Sequence, residues 1–62
     1  MTKSEKREVE KLNAMARIAD VGMLARSYST LIRAAMTAKS RNEIIVHASG
    51  IPAVVQHPDF IV

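Results

Sequence analysis

Two histidines are the residues of this chain best suited to acid–base or metal chemistry. His47 and His57 stand ten residues apart, and the sequence contains no cysteine. A structural zinc site needs four Cys, His or carboxylate ligands, and a nucleophilic site needs a base beside an activated side chain. The sequence has no paired Cys or acidic ligands and no glycine-rich phosphate loop to complete either arrangement. We therefore expect no catalytic residue, no metal and no cofactor, and we predict that the protein is not an enzyme.

Four basic residues form a second candidate site, one for nucleic acid. Arg26 and Arg33 are seven residues apart and so share one face of a helix, and Lys39 and Arg41 follow shortly after. Such a row can contact phosphates independently of base sequence. An ordinary solvated helix face has a similar pattern, and we favour it because Ser and Thr, rather than further Arg, fill the gaps. The four residues are nonetheless our nucleic-acid candidates.

Charge is divided unevenly along the chain. Residues 1–41 contain all nine basic side chains and four acidic ones, a net charge of +5. Residues 42–62 contain two acidic side chains and no basic one, a net charge of −2, which gives the chain its total of +3. The first part can face a polyanion and the second cannot.

Apolar periodicity over the first forty residues predicts two helices. The first covers 4–21 and starts at Ser4 as N-cap, and the second covers 23–40. The apolar stripe of the first ends at Gly22, and a stripe on a shifted face includes Val21 and Leu24. Two structures satisfy this shift. We favour an antiparallel helical hairpin with Gly22 as a left-handed cap, and the alternative is one long helix from Ser4 to Lys39.

The composition changes after the predicted helices. Residues 43–56 are rich in β-branched side chains, interrupted by Gly50 and Pro52, and this favours short strands. We predict a β-hairpin over 43–56 that turns at Ser49 and Gly50, followed by an extended tail over 57–62. The expected fold class is α+β, with a helical hairpin, or one long helix, followed by a short β-hairpin in a single domain of residues 1–62.

Small size makes self-association the expected source of stability. A chain this short buries only about 60% of its unfolded surface, and two strands alone are marginally stable. We therefore expect a homo-oligomer. With no apolar run near the ~20 residues of a membrane span and no signal-peptide pattern, we expect no membrane partner and a cytoplasmic location. The interface candidates are residues of the two apolar stripes: Val9, Leu12, Ala16, Leu24, Tyr28, Leu31 and Ile32.

Nine residues follow one another in a defined order along the predicted helix, strand and turn and end at a proline. They are Asp20, Leu24, Tyr28, Ile45, Val46, Gly50, Gln56, His57 and Pro58. This order covers about residues 12–58 and resembles the central oligomerisation part of phage terminase small subunits. The resemblance implies a non-catalytic protein that assembles into a ring and recognises viral DNA. It also implies that the ring passes the DNA to the ATP-driven terminase large subunit, in the cytoplasm of an infected host cell.

Two other functions stay open at this point. One is a small dimeric DNA-binding regulator similar to an antitoxin, which would lose DNA affinity steeply as salt rises. The other is a host-directed inhibitor that binds another protein by adding a strand at the edge of its tail. The first shares DNA binding with the packaging protein, whereas the second needs no nucleic acid.

Overall fold

Four helices make up the described part of the chain. The computed structural model describes residues 1–60, which form α1 (Lys3–Met15), α2 (Val21–Arg33), α3 (Ala38–Ser49) and the short α4 (Pro52–Val55). They fold into a body of 27 × 20 × 16 Å. No strand occurs anywhere in these sixty residues, so the predicted α+β class with its β-hairpin is wrong, and the described chain is all-α.

The N-cap of α1 lies two residues before the predicted one. Thr2 caps the helix: its Oγ1 accepts a hydrogen bond from Glu5 N at 3.1 Å, and Thr2 N donates to Glu5 Oε1 at 2.8 Å. This reciprocal pair is a complete capping box. Ser4, the expected N-cap, lies inside the helix.

The first two helices are separated by a turn rather than joined. α1 ends at Met15, residues 16–20 form the turn, and Asp20 caps α2 by accepting a hydrogen bond from Met23 N at 2.8 Å. One long helix is therefore excluded, and the break precedes Gly22. That glycine is the second residue of α2 and has no positive φ, so it is not a left-handed cap.

α3 covers the first half of the segment predicted as a β-hairpin, residues 43–49, and α4 lies in the second half. Thr37 caps it, accepting a hydrogen bond from Ser40 N at 3.0 Å. Ser40, Ile44 and Ala48 are buried at a spacing of four residues, which places them on one side of a helix packed against α2 and α4. This burial outweighs the strand preference of the β-branched residues, because strand propensity depends strongly on packing. Gly50 is the C-cap with φ −68°, and no hairpin turn forms there.

The segment after α4 turns back onto α2. Pro52 is the first residue of α4, a position where its missing N–H is not needed. Residues 57–60 form a turn closed by Phe60 N donating to the His57 carbonyl at 3.0 Å. Asp59 then pairs with Arg26 at 2.8 Å. The predicted extended tail of 57–62 is thus a turn over its first four residues, and its last two lie outside the described residues.

The core lies where α2 meets the other three helices. Tyr28 is its largest fully buried side chain, and its hydroxyl donates a 2.6 Å hydrogen bond to Asn13 Oδ1 on α1. Burial raises the pKa of the Tyr28 phenol above its usual value. The buried apolar residues are Val9, Leu12, Leu24, Ala25, Tyr28, Ile32, Ile44, Ala48 and Val54.

Candidate nucleic-acid interface

Residues 34–37, the α2–α3 link, set the position of α3 relative to α2. Connections of three or four residues join the two helices of DNA-binding helix-turn-helix motifs. Here the link is held from two sides. Met36 N donates to Glu5 Oε2 on α1 at 3.3 Å, and Thr37 caps the first turn of α3. The start of α3 is therefore fixed by a short connection and by a contact with α1.

Glu5 supplies that contact as a buried anion. Its side chain is only 7% exposed, and its carboxylate accepts hydrogen bonds from the backbone of Thr2 and of Met36. These bonds, chiefly the one from Thr2, lower the pKa of Glu5 below its ordinary value of 4.5. The carboxylate is thus ionised at neutral pH, but backbone donors inside the protein surround it.

Glu43 is the one acidic residue of α3, and its charge is compensated. The ammonium group of Met1 lies 2.8 Å from Glu43 Oε2. That hydrogen bond is the main cause that lowers the pKa of Glu43, and Lys39 adds a smaller electrostatic contribution. The Met1 ammonium group therefore compensates the charge of Glu43, with which Lys39 also interacts.

The structure places three of the four basic candidates beside the α2–α3 link. Arg33 is the last residue of α2, and Lys39 and Arg41 lie in the first turns of α3. All three are exposed, and none forms an ion pair within residues 1–60. Arg26 is separate, because its guanidinium pairs with Asp59 of the C-terminal turn. Arg33, Lys39 and Arg41 thus flank the α2–α3 link, whereas Arg26 is held in an ion pair with the C-terminal turn.

The predicted oligomer interface lies mainly inside the chain. Five of its seven residues are in the core described above, and Ala16 and Leu31 are partly exposed. Leu31 lines a shallow groove of about 480 Å³ between α1 and α2, together with Leu12, Met15 and Met23. The apolar stripes of the sequence are therefore buried largely by the chain's own helices.

The two histidines lie on different elements and do not form a site together. His47 is exposed on α3. His57 belongs to the C-terminal turn, where its Nδ1 accepts a hydrogen bond from Asp59 N at 3.1 Å and lies 3.8 Å from Asp59 Oδ2. In the described part of the chain, no group of three or more His, Asp or Glu side chains could hold a metal ion.

Two further residues on α3 were not among the site residues predicted from the sequence. Asn42 and Val46 lie on the solvent side of the helix, in helical spacing with Lys39, and Val46 is 71% exposed. The predicted strand began at residue 43 and included Val46, and Asn42 lay between the predicted helix and that strand, so no shared face with Lys39 was expected. The spacing of three and four residues becomes informative only once residues 38–49 are known to be helical.

The helices of residues 1–60 are all too short to cross a bilayer as an apolar span. Comparisons with protein-family models, with curated proteins and with solved structures give no match for this chain. The first residues of the series that resembles terminase small subunits are helical as expected. Asp20 caps α2, and Leu24 and Tyr28 lie on that helix. The remainder, Ile45 to Pro58, lies in α3, α4 and the C-terminal turn instead of a hairpin.

Proposed function

We propose that this protein is a non-catalytic DNA-binding module that contacts the phosphates of a duplex with Arg33, Lys39 and Arg41. One observation carries the proposal. Three exposed cations flank a short interhelical connection, and the acid on the same helix, Glu43, is bound by the Met1 ammonium group. A surface with unpaired positive charge and its own acid compensated favours a polyanion, since binding releases counterions from the DNA.

The placement of two of these cations costs stability in the free protein. Lys39 and Arg41 lie near the N-terminus of α3, whose first turn contains no acidic residue. The partial positive charge of a helix N-terminus disfavours nearby cations by a few tenths to about 1 kcal/mol each. A phosphate bound there would reverse the effect, because it interacts favourably with both the side chains and the helix end.

The role within DNA metabolism follows from the sequence resemblance and stays a prediction. A phage packaging protein would add self-assembly and engagement of the terminase large subunit to DNA binding. An antitoxin-like regulator would use the same DNA contacts as a dimer. The host-directed inhibitor needed a strand edge in residues 43–56, but α3 with α4 occupies that segment, so the edge that this function requires is absent from it.

Salt dependence of DNA affinity tests the proposal directly. Fluorescence anisotropy with a labelled duplex of mixed sequence should show binding at low salt that weakens steeply as salt rises. Each phosphate contact contributes about 0.9 to the slope of log K against log [salt]. Arg33→Gln, Lys39→Gln and Arg41→Gln should each lower that slope by about 0.9 and weaken binding to all duplexes alike.

Arg17→Gln is the matched control. Arg17 is also exposed and without an ion pair in residues 1–60, but it follows the end of α1 opposite to the Glu5 contact with the α2–α3 link. It should leave the slope unchanged. If wild-type protein does not bind at low salt, or if Arg17→Gln lowers the slope as much as Arg41→Gln, the proposed phosphate site is refuted.

A further inference from the structure

One exposed face of α3 carries a lysine, an asparagine and a valine, whereas the solvent side of a helix usually carries charged and polar side chains alone. Lys39, Asn42 and Val46, which we name the readout face, recur at spacings of three and four residues and are all exposed. They lie opposite the buried Ser40, Ile44 and Ala48. The readout face covers about 10 Å along the helix axis, the length of about three base pairs.

The packing of the protein does not explain why position 46 holds an apolar, β-branched residue. It is 71% exposed, although β-branched residues are less favourable in helices than alanine or leucine. The Asn42 side chain makes no hydrogen bond to any described residue. An exposed apolar group and an unbonded amide thus stand one turn apart. Lys39 is the basic residue on their side of the helix, since Arg41 points about 200° away from Lys39.

We propose that α3 enters the major groove of DNA and reads base sequence through the readout face. Asn42 pairs with the N6 and N7 edge of an adenine, the arrangement in which an amide forms two hydrogen bonds to one base. Val46 contacts the methyl group of a thymine about two base pairs away. This inference rests on the proposed function and adds base recognition to phosphate contact.

The polar surroundings of the face argue against an apolar protein partner. Val46 is a single apolar side chain whose neighbours at helical spacing are Asn42, Glu43 and Ser49, whereas the core of a protein interface is depleted in charge and rich in aromatic residues. Ile18 and Met36, the other strongly exposed large apolar residues among those described, lie in the α1–α2 turn and the α2–α3 link and not on α3. An isolated methyl contact within a polar surface suits a thymine in the major groove.

Two experiments test the inference. The protein first selects its binding sites from randomised duplexes, and one base of the selected site is then replaced while the protein stays unchanged. Wild-type protein should select a motif that contains one adenine and one thymine within about three base pairs. Asn42→Ala should lose the preference for that adenine by roughly tenfold and keep its affinity for unrelated DNA. Replacing the selected thymine by uracil removes only the methyl group, and it should weaken wild-type binding several-fold.

A double-mutant cycle then assigns the thymine contact to its residue. In Val46→Ala, the change from thymine to uracil should have no further effect, because the partner of the methyl group is already gone. Ile18→Ala is the control, since Ile18 is as exposed but lies between α1 and α2, and it should keep the full uracil penalty.

Two results would overturn the readout face. Salt-dependent binding without any selected motif, or a uracil penalty that is equal in wild type and Val46→Ala, removes base recognition and leaves the phosphate contacts standing. A fall in solution mass on Val46→Ala, measured by light scattering, would show that the face binds another copy of the chain. Absence of all DNA binding at low salt would instead refute the proposed function itself.

Discussion

Ile44 and Val46 offer the sharpest test of the helix over residues 38–49. On a β-strand, residues two apart point to the same face, so both side chains would have the same surroundings. On α3 they point about 200° apart, and Ile44 is 0% exposed while Val46 is 71% exposed. Substituting each by alanine should therefore produce very different losses of stability.

The size of the difference follows from burial. Ile44→Ala removes three buried carbon atoms, which loses about 2.4 kcal/mol at about 0.8 kcal/mol per methylene, and the residual cavity raises the total to about 3–4 kcal/mol. A chain of this size is stable by about 3–9 kcal/mol. Val46→Ala removes a side chain that is mostly in water and improves helix propensity, so the free energy of unfolding should change by less than about 0.5 kcal/mol.

Urea unfolding followed by far-ultraviolet circular dichroism measures both values. If Ile44→Ala is already unfolded without urea, Ile44→Val should still cost about 1 kcal/mol and give a complete transition. The reasoning is refuted if the alanine substitutions at 44 and 46 destabilise the protein equally, because the two side chains would then share one environment.

Three further predictions concern single contacts. First, stability should fall as pH drops below about 4.5: the folded-state pKa of Glu5 is lowered, so its contribution is complete above the unfolded value and is lost as pH falls through the folded one. Glu5→Gln should flatten part of this loss in urea titrations carried out at pH values below about 4.5. Second, Tyr28→Phe removes the hydrogen bond to Asn13 and should lower the free energy of unfolding by about 1 kcal/mol. Third, Thr37→Ala removes the N-cap of α3 and should cost about 1 kcal/mol in thermal or urea unfolding.

Each of the three has a matched comparison. Glu10→Gln, on the exposed side of α1, should keep the wild-type dependence on pH, and an equal flattening there would contradict the role of Glu5. Tyr28→Phe and Asn13→Ala should be strongly non-additive, and additive losses would mean that the two groups do not interact. Thr30→Ala alters an exposed threonine within α2 and should cost nothing, so an equal loss at both threonines would argue against the cap.

The periodicity of apolar residues predicted helices in the first forty residues, but it did not predict where those helices begin and end. Val9 and Leu12 on one stripe, and Leu24, Tyr28 and Ile32 on the other, are all buried as helical spacing suggests. The predicted starts were wrong by a few residues, because short polar side chains that can act as caps occur close together. Thr2 with Glu5 satisfies the capping-box pattern, whereas the predicted N-cap was Ser4, two residues later.

The tail was misinterpreted because composition was weighed above spacing. Three consecutive β-branched residues, 44–46, favour a strand on propensity alone. The four-residue spacing of Ser40, Ile44 and Ala48 is helical, but Ser and Ala are weak apolar markers and the pattern is easy to miss. Burial against α2 and α4 decides the outcome, and contacts between distant segments cannot be read from a local window.

The same error hid part of the candidate site. Arg33, Lys39 and Arg41 were identified from charge, which does not depend on secondary structure. Asn42 and Val46 were not, because their relation to Lys39 exists only on a helix. The ion pair between Arg26 and Asp59 joins residues 33 apart and had no signal in the sequence.

The carboxylate of Glu5 joins two parts of the chain that are 31 residues apart, since it is the acceptor for Met36 N. If α1 detaches transiently from the rest of the protein, that amide loses its acceptor at the same moment. Hydrogen exchange at Met36 should therefore report the opening of α1, and the two regions should exchange as one cooperative unit. The orientation of α3 relative to α2 therefore persists only while α1 stays packed against the rest of the protein.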